Sequence, residues 1–217
     1  MLKTERMDRV RAALRAQGLT QMIVCDPKSV WYLTGVAVEP YERLLALYLP
    51  TEGEPVLFLN RLFNVPEPPC RTVWHTDTDK PVAQIAEVVD AGRPLGIDKE
   101  WPAKFLIPLM ETHPGMQVVL SSDCVDDCRA CKDAEEQTLM REASRINDAV
   151  NEAAKHYIKA GMTEREVAEF IGAQFRAHGC EGPSFTTIVS FGANTADPHH
   201  EPDDTVLKEG DCVLFDM

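Results

Sequence analysis

No stretch of the 217 residues is apolar for long enough to cross a bilayer. The first ten, MLKTERMDRV, are interrupted by charge and hold no apolar run longer than Met1-Leu2, so no apolar segment of a secretion signal is expected. Positive charge is scarce: 22 Lys and Arg stand against 35 Asp and Glu, a formal net charge of −13. Residues 1–128 hold −5 of it and residues 129–217 the other −8, and neither part carries a basic patch. These absences argue against nucleic acid and against anionic membrane surfaces as partners. Also missing are a Gly-rich phosphate loop, a Ser-His-Asp or Cys-His nucleophile pattern, an internal repeat and any low-complexity segment. The seven cysteines are odd in number and scattered, which reads as reduced thiols and places the protein in the cytoplasm. What remains is an ordinary globular composition, 44% hydrophobic and 26% charged, with core enough for one large or two small domains.

The first part of the chain alternates helix and strand. Residues 2–17 carry Met7, Val10 and Leu14 on one helical face, and Gly18 supplies the stop. Met22 to Cys25 reads as a buried strand, Asp26-Pro27 as a turn, and Ser29 to Leu33 as one helical turn. Leu44–Leu49 and Pro55–Leu59, separated by Thr51-Glu52-Gly53-Glu54, predict a hairpin. Short strands follow at Thr72–Trp74, Leu95–Ile97 and Val118–Leu120, with helices at Pro81–Ala91 and Trp101–Glu111 between them. That alternation predicts an α/β domain with a mixed sheet. Residues 121–132, SSDCVDDCRACK, read as a polar, turn-like boundary. Cys124, Cys128 and Cys131 have an iron–sulfur spacing, but offsets of four and seven also share a helix face, and that plainer reading is preferred.

Two long helices come next. Asp133 with Glu136, and Thr163 with Glu166, form the two capping boxes. Leu139, Ala143, Ile146, Val150, Ala153 and Tyr157 mark the inner face of the first helix; Val167, Ile171 and Phe175 mark that of the second. Phe185 to Met217 then reads as strand, Gly-punctuated loop, His-bearing loop, turn and strand. Pro198 and Pro202 bracket His199, His200 and Glu201, and Asp216 ends the strand that starts at Cys212. Neighbouring residues of an extended loop point to opposite sides, so only one of the two histidines faces a given site. Asp203-Asp204 reads as a solvated turn.

Thr187-Ile188-Val189-x-x-Gly192-x-Asn194, Pro198-His199, Gly210-Asp211 and Val213-Leu214-Phe215-Asp216 together resemble the pita-bread metallopeptidases. The closer likeness is to the proline dipeptidases and Xaa-Pro aminopeptidases, where the same seventeen positions separate His199 from Asp216. Asp26-Pro27 through Tyr32-Leu33-Thr34-Gly35 resembles the signature of the creatinase/prolidase N-terminal domain, and Arg129, Lys132, Glu135 and Glu136 resemble the interdomain stretch.

The resemblance implies an α/β N-terminal domain over residues 1–128, a mixed sheet with flanking helices. Over 129–217 it implies the incomplete first part of an α+β pita-bread catalytic domain. It implies a metal-dependent hydrolase that cuts the bond before proline in dipeptides or at the N-termini of proline-containing peptides, a homodimer using two divalent ions such as Mn, Co or Zn. Asp216 would be a metal ligand. His199 would be the catalytic residue that hydrogen-bonds the oxygen on which charge develops, with His200 facing away. The second Asp, the His and the two Glu that complete the family's metal pair have no counterpart before Met217. The chain is therefore expected to be a fragment, inactive alone, with no stably bound metal pair and with apolar surface exposed in its C-terminal part. Two other functions fit the same folds: a non-catalytic peptide- or protein-binding module, and a creatinase-like amidinohydrolase.

Overall fold

Side chains that alternate across a strand decide how the first 132 residues are layered. In the computed structural model, which describes residues 3–217, Met22 and Val24 of β1 (Gln21–Val24) enter one apolar cluster and Ile23 enters another. The same split divides Leu47 and Leu49 from Ala46 in β2 (Ala46–Pro50), and Leu57 and Leu59 from Val56 and Phe58 in β3 (Val56–Asn60). A sheet buried on both faces needs apolar residues at every position, which is why these strands are continuous hydrophobic runs. With β4 (Arg71–His75), β5 (Leu95–Ile97) and β6 (Val118–Leu120) they form one six-stranded sheet of order β4-β3-β2-β1-β5-β6. β2 is antiparallel to both neighbours and the other pairings are parallel.

One face of the sheet is covered by α1 (Thr4–Ala16), α2 (Pro27–Thr34) and α5 (Asp123–Ala130), the other by α3 (Pro81–Ala86) and α4 (Ala103–Thr112). α1 buries Met7, Val10 and Leu14 as its periodicity predicts; Leu2, the expected first residue of that helix, lies outside the described residues. α2 is longer than the single turn expected. Asp26 caps it by accepting the Lys28 and Ser29 N–H groups, and Gly35 closes it at φ 76°. Burial alone would raise the Asp26 carboxyl. Hydrogen bonds from Ser29 and Lys28 and the charge of Arg129 outweigh it and hold that carboxyl below its usual range. Arg129 Nη1 reaches both Asp26 Oδ2 and Ser29 Oγ at 3.0 Å, so two motifs a hundred residues apart in sequence are parts of one contact.

The polar stretch 121–132 is helix α5 over most of its length, a correction to its reading as a turn. Cys124 and Val125 are buried and the Tyr32 hydroxyl donates to the Cys128 carbonyl at 3.1 Å, so the inner face is built from cysteines while the aspartates face out. Burial pushes the Cys124 thiol up to about 11, which leaves it protonated at neutral pH.

A second compact unit begins at Asp133, the first ending at Lys132. α6 (Ala134–Tyr157) and α7 (Glu164–Ala177) both start in complete capping boxes, Asp133 with Glu136 and Thr163 with Glu166. They pack with β7 (Ile188–Phe191) and β8 (Val213–Asp216), an antiparallel pair, around Val150, Ala154, Val167, Ile171, Val189, Phe191 and Leu207. Leu139 is 64% exposed and Met140 56%, so the apolar stripe of α6 is buried only from Ile146 onward. The reason is length: α6 has 24 residues and α7 has 14, and within this unit nothing covers the first turns of α6. Exposed Cys131 and Lys132 connect α5 to α6. We propose that the first unit folds by itself. Limited trypsin digestion is expected to cut first at Lys132 and leave a resistant N-terminal piece; early cuts within residues 20–120 would contradict this.

Candidate active-site loop

Thr163 caps α7, and this puts Glu164 at the first helical position with its side chain turned inward. Glu164 has no exposed surface, and a buried carboxylate is tolerated only when its lone pairs are filled. Oε1 accepts the Phe191 N–H at 2.8 Å and Asn194 Nδ2 at 3.0 Å. Oε2 accepts His200 Nε2 at 2.7 Å and the Asp203 N–H at 3.1 Å. A carboxylate only accepts, so His200 Nε2 carries the hydrogen, and Asn194 directs its two N–H groups to Glu164 Oε1 and to Thr205 Oγ1 at 3.1 Å. The hydrogen bond to Glu164, reinforced by the charges of Glu164, Asp203 and Asp197, holds the His200 imidazole protonated to higher pH than a free histidine.

The loop held this way leaves β7 through a one-turn 3-10 helix, Gly192–Ala196. Gly192 has φ 53°, and a Cβ there would meet the Asp211 carboxylate at 3.2 Å, so the turn requires glycine. Further on, the chain runs beside the start of α7: the Glu164 N–H donates to the Thr205 carbonyl at 3.2 Å and the Leu207 N–H to the Met162 carbonyl at 2.8 Å. Asp203 is half-buried and accepts the Thr205 N–H at 2.7 Å, so it is part of this network and not the solvated turn residue expected; Asp204 is exposed.

The two histidines diverge. His200 turns in to Glu164, whereas His199 is exposed, with its own N–H bonded to Asp197 Oδ1 at 3.0 Å. Asp216 is also exposed, at the end of β8 opposite Ile188. Glu164, Asn194 and Asp203 were not singled out for chemistry by the sequence; an acidic residue at the first position of a capped helix has the same appearance when it merely faces the helix dipole.

Glu164, His200 and Asp203 are, among the described residues, the one group of three His, Cys, Asp or Glu side chains whose ligand atoms lie within 4.8 Å of one another. Their chemistry does not suit a cation. Every Glu164 lone pair is occupied, the facing His200 nitrogen bears a hydrogen, and Asp203 is engaged by Thr205. Asp216 is a carboxylate of the right kind but belongs to no such group, and one carboxylate does not hold two divalent ions. The described residues therefore do not build a metal pair by themselves.

Two family models match the chain: the creatinase/prolidase N-terminal domain over residues 6–131, more than half of it, and metallopeptidase family M24 over residues 138–217. Among solved structures the chain is similar to dipeptidase PepE from Mycobacterium ulcerans, at 29% identity and TM-score 0.87 over 98% of this chain and 59% of that one. It is similar to a recombinant prolidase from Thermococcus sibiricus at 27% identity and TM-score 0.88, over 99% and 61%. An uncharacterised peptidase of Staphylococcus aureus strain MW2 is 32% identical over 205 residues, 89% of this chain and 56% of its own length. The chain thus spans about three-fifths of the length of the relatives it matches. No described helix is long and apolar enough to cross a membrane. The buried-sheet domain and the capped helix pair after it occur in the same order as the two family matches, and the chain belongs to the creatinase/prolidase N-terminal domain family through residues 6–131, with a match to metallopeptidase family M24 over residues 138–217 behind that domain.

Proposed function

We propose that this chain forms the N-terminal domain and the first part of the catalytic domain of a metal-dependent peptidase that hydrolyses Xaa-Pro bonds. Its substrates are proline-containing dipeptides or peptide N-termini. The observation that carries the reading is an exposed imidazole, His199, on a loop pinned from both sides, in the same compact unit as the exposed strand-end carboxylate of Asp216. His199 is assigned to donate to the scissile carbonyl oxygen as charge develops there. Asp216 is assigned as one ligand of a divalent metal pair (Mn, Co or Zn) whose other ligands are not among the described residues. The restriction to proline is supported by the likeness to a prolidase at 27% identity, and peptide hydrolysis by the likeness to a dipeptidase at 29%. A homodimer in the cytoplasm completes the proposal.

The test compares Ala-Pro with Ala-Ala hydrolysis in the presence of Mn, Co or Zn, by this chain and by a protein extended through a complete M24 domain. Hydrolysis of Ala-Pro by the extended protein alone is expected. Equal rates on Ala-Ala would replace the proline restriction with general dipeptidase activity. Tight peptide binding without hydrolysis of either would replace the enzyme with a binding module.

A further inference from the structure

The four donors that fill Glu164 come from residues 191, 194, 200 and 203, the end of β7, the 3-10 turn and both sides of His199. All four lie in the segment that carries His199. The apolar cluster of this unit is assembled from other side chains, Val150, Ala154, Val167, Ile171, Val189 and Leu207, with Phe191 alone common to both, its ring in the cluster and its backbone N–H on Glu164. Glu164 thus supplies the loop with a hydrogen-bonding centre while the helices and strands have a separate source of cohesion. Bonds on both sides of His199, from Asp197 before it and from His200 after it, leave its backbone little freedom while its side chain stays exposed.

We propose that Glu164 is a positioning residue: a buried four-point clamp that fixes the loop from Gly192 to Asp203 and so presents His199 outward in one orientation. Its importance for catalysis rests on the reading of His199 given above; the clamp itself is measurable without turnover. His200 is the contact most exposed to test. It needs only an N–H aimed at Glu164 Oε2, so a glutamine amide can replace it and a leucine cannot. In Glu164→Gln, one carboxylate oxygen becomes an NH2 that confronts two donors.

Backbone relaxation and imidazole NMR on the 217-residue chain test this. In the parent chain, residues 197–201 should have order parameters of about 0.85, and the His200 Nε2–H should show the downfield signal of a proton bonded to carboxylate. Glu164→Gln and His200→Leu should lower residues 197–201 below about 0.6, leave α7 and β7 unchanged and abolish that signal; His200→Gln should keep the loop ordered. The clamp is overturned if residues 197–201 stay ordered in both damaging variants, if His200→Gln loosens the loop as much as His200→Leu, or if order falls uniformly across residues 133–217. Should Glu164→Gln unfold the unit, His200→Leu against His200→Gln decides by the same criteria. These readings fail or succeed on loop order alone, whereas the proposed activity fails or succeeds on peptide hydrolysis, so the two failures are distinct.

Discussion

Asp98→Ala is expected to lower the stability of the N-terminal unit by about 3–5 kcal/mol, and Asp98→Asn by much less. Asp98 is 5% exposed and directly follows β5, beside the end of β1. Its Oδ2 accepts the N–H groups of both Cys25 and Asp26, and its Oδ1 accepts the Glu100 N–H. Alanine removes both acceptor oxygens and with them three hydrogen bonds; Cys25 is buried and Asp26 half-buried, so their N–H groups have little access to bulk water. Each stranded donor costs roughly 1–3 kcal/mol. Asparagine keeps one oxygen, and with that oxygen in the Oδ2 position the two inner donors stay satisfied. Burial, opposed by those hydrogen bonds and aided by the nearby Asp26 charge, raises the Asp98 carboxyl. A carboxyl raised on folding binds its proton more tightly in the folded state. Stability from this group therefore falls as pH climbs from the unfolded value, about 3.9, through the raised one, and is level above it. Asp98→Asn lacks that fall. Urea unfolding at pH 7 and across the acidic range measures both effects. An alanine variant as stable as the asparagine one would show that these N–H groups find other partners.

Much of this fold could be read from sequence because its cues are local. The apolar periods of α1 and α7, the two capping boxes, the Glu52-Gly53 turn and the two-sided strands each rest on residues within a few positions of one another. What was misread depends on distant partners. The stretch 121–132 looks like a loop because its buried face uses cysteines beneath a run of aspartates, and only the contacts of Cys124 and Val125 with the sheet-covering layer make it a helix. Leu139 fits the stripe of α6 as well as Val150 does; the difference is whether α7 reaches far enough to cover it. The site divides along the same line. The roles proposed for His199 and Asp216 rest on motif spacing, whereas Glu164 meets Phe191, Asn194, His200 and Asp203, between 27 and 39 residues away, and no local pattern marks such a contact.

His199, His200 and Asp216 should fail in different ways when changed in a protein with a complete M24 domain. Asp216→Asn is expected to lower metal content and activity together, because a neutral amide replaces a carboxylate poorly toward a hard cation. His199→Ala is expected to keep the metal and lower kcat by about 10²–10³, roughly 3–4 kcal/mol, as the loss of one donor to a developing oxyanion does. The exposure of His199 agrees with a group that meets substrate, since removing it disturbs no hydrogen bond made by its side chain in this structure. His200→Ala takes one of four donors from a fully buried carboxylate, so it acts on the loop and only through the loop on turnover. Its expected loss in kcat is smaller than that of His199→Ala, with metal content unchanged and KM little affected. Metal stoichiometry beside kcat for the three variants separates these roles. If His199→Ala emptied the metal site, His199 would be a ligand. If His200→Ala were the more damaging change, the catalytic donor would lie one residue further along the loop, and the exposed imidazole would be a bystander.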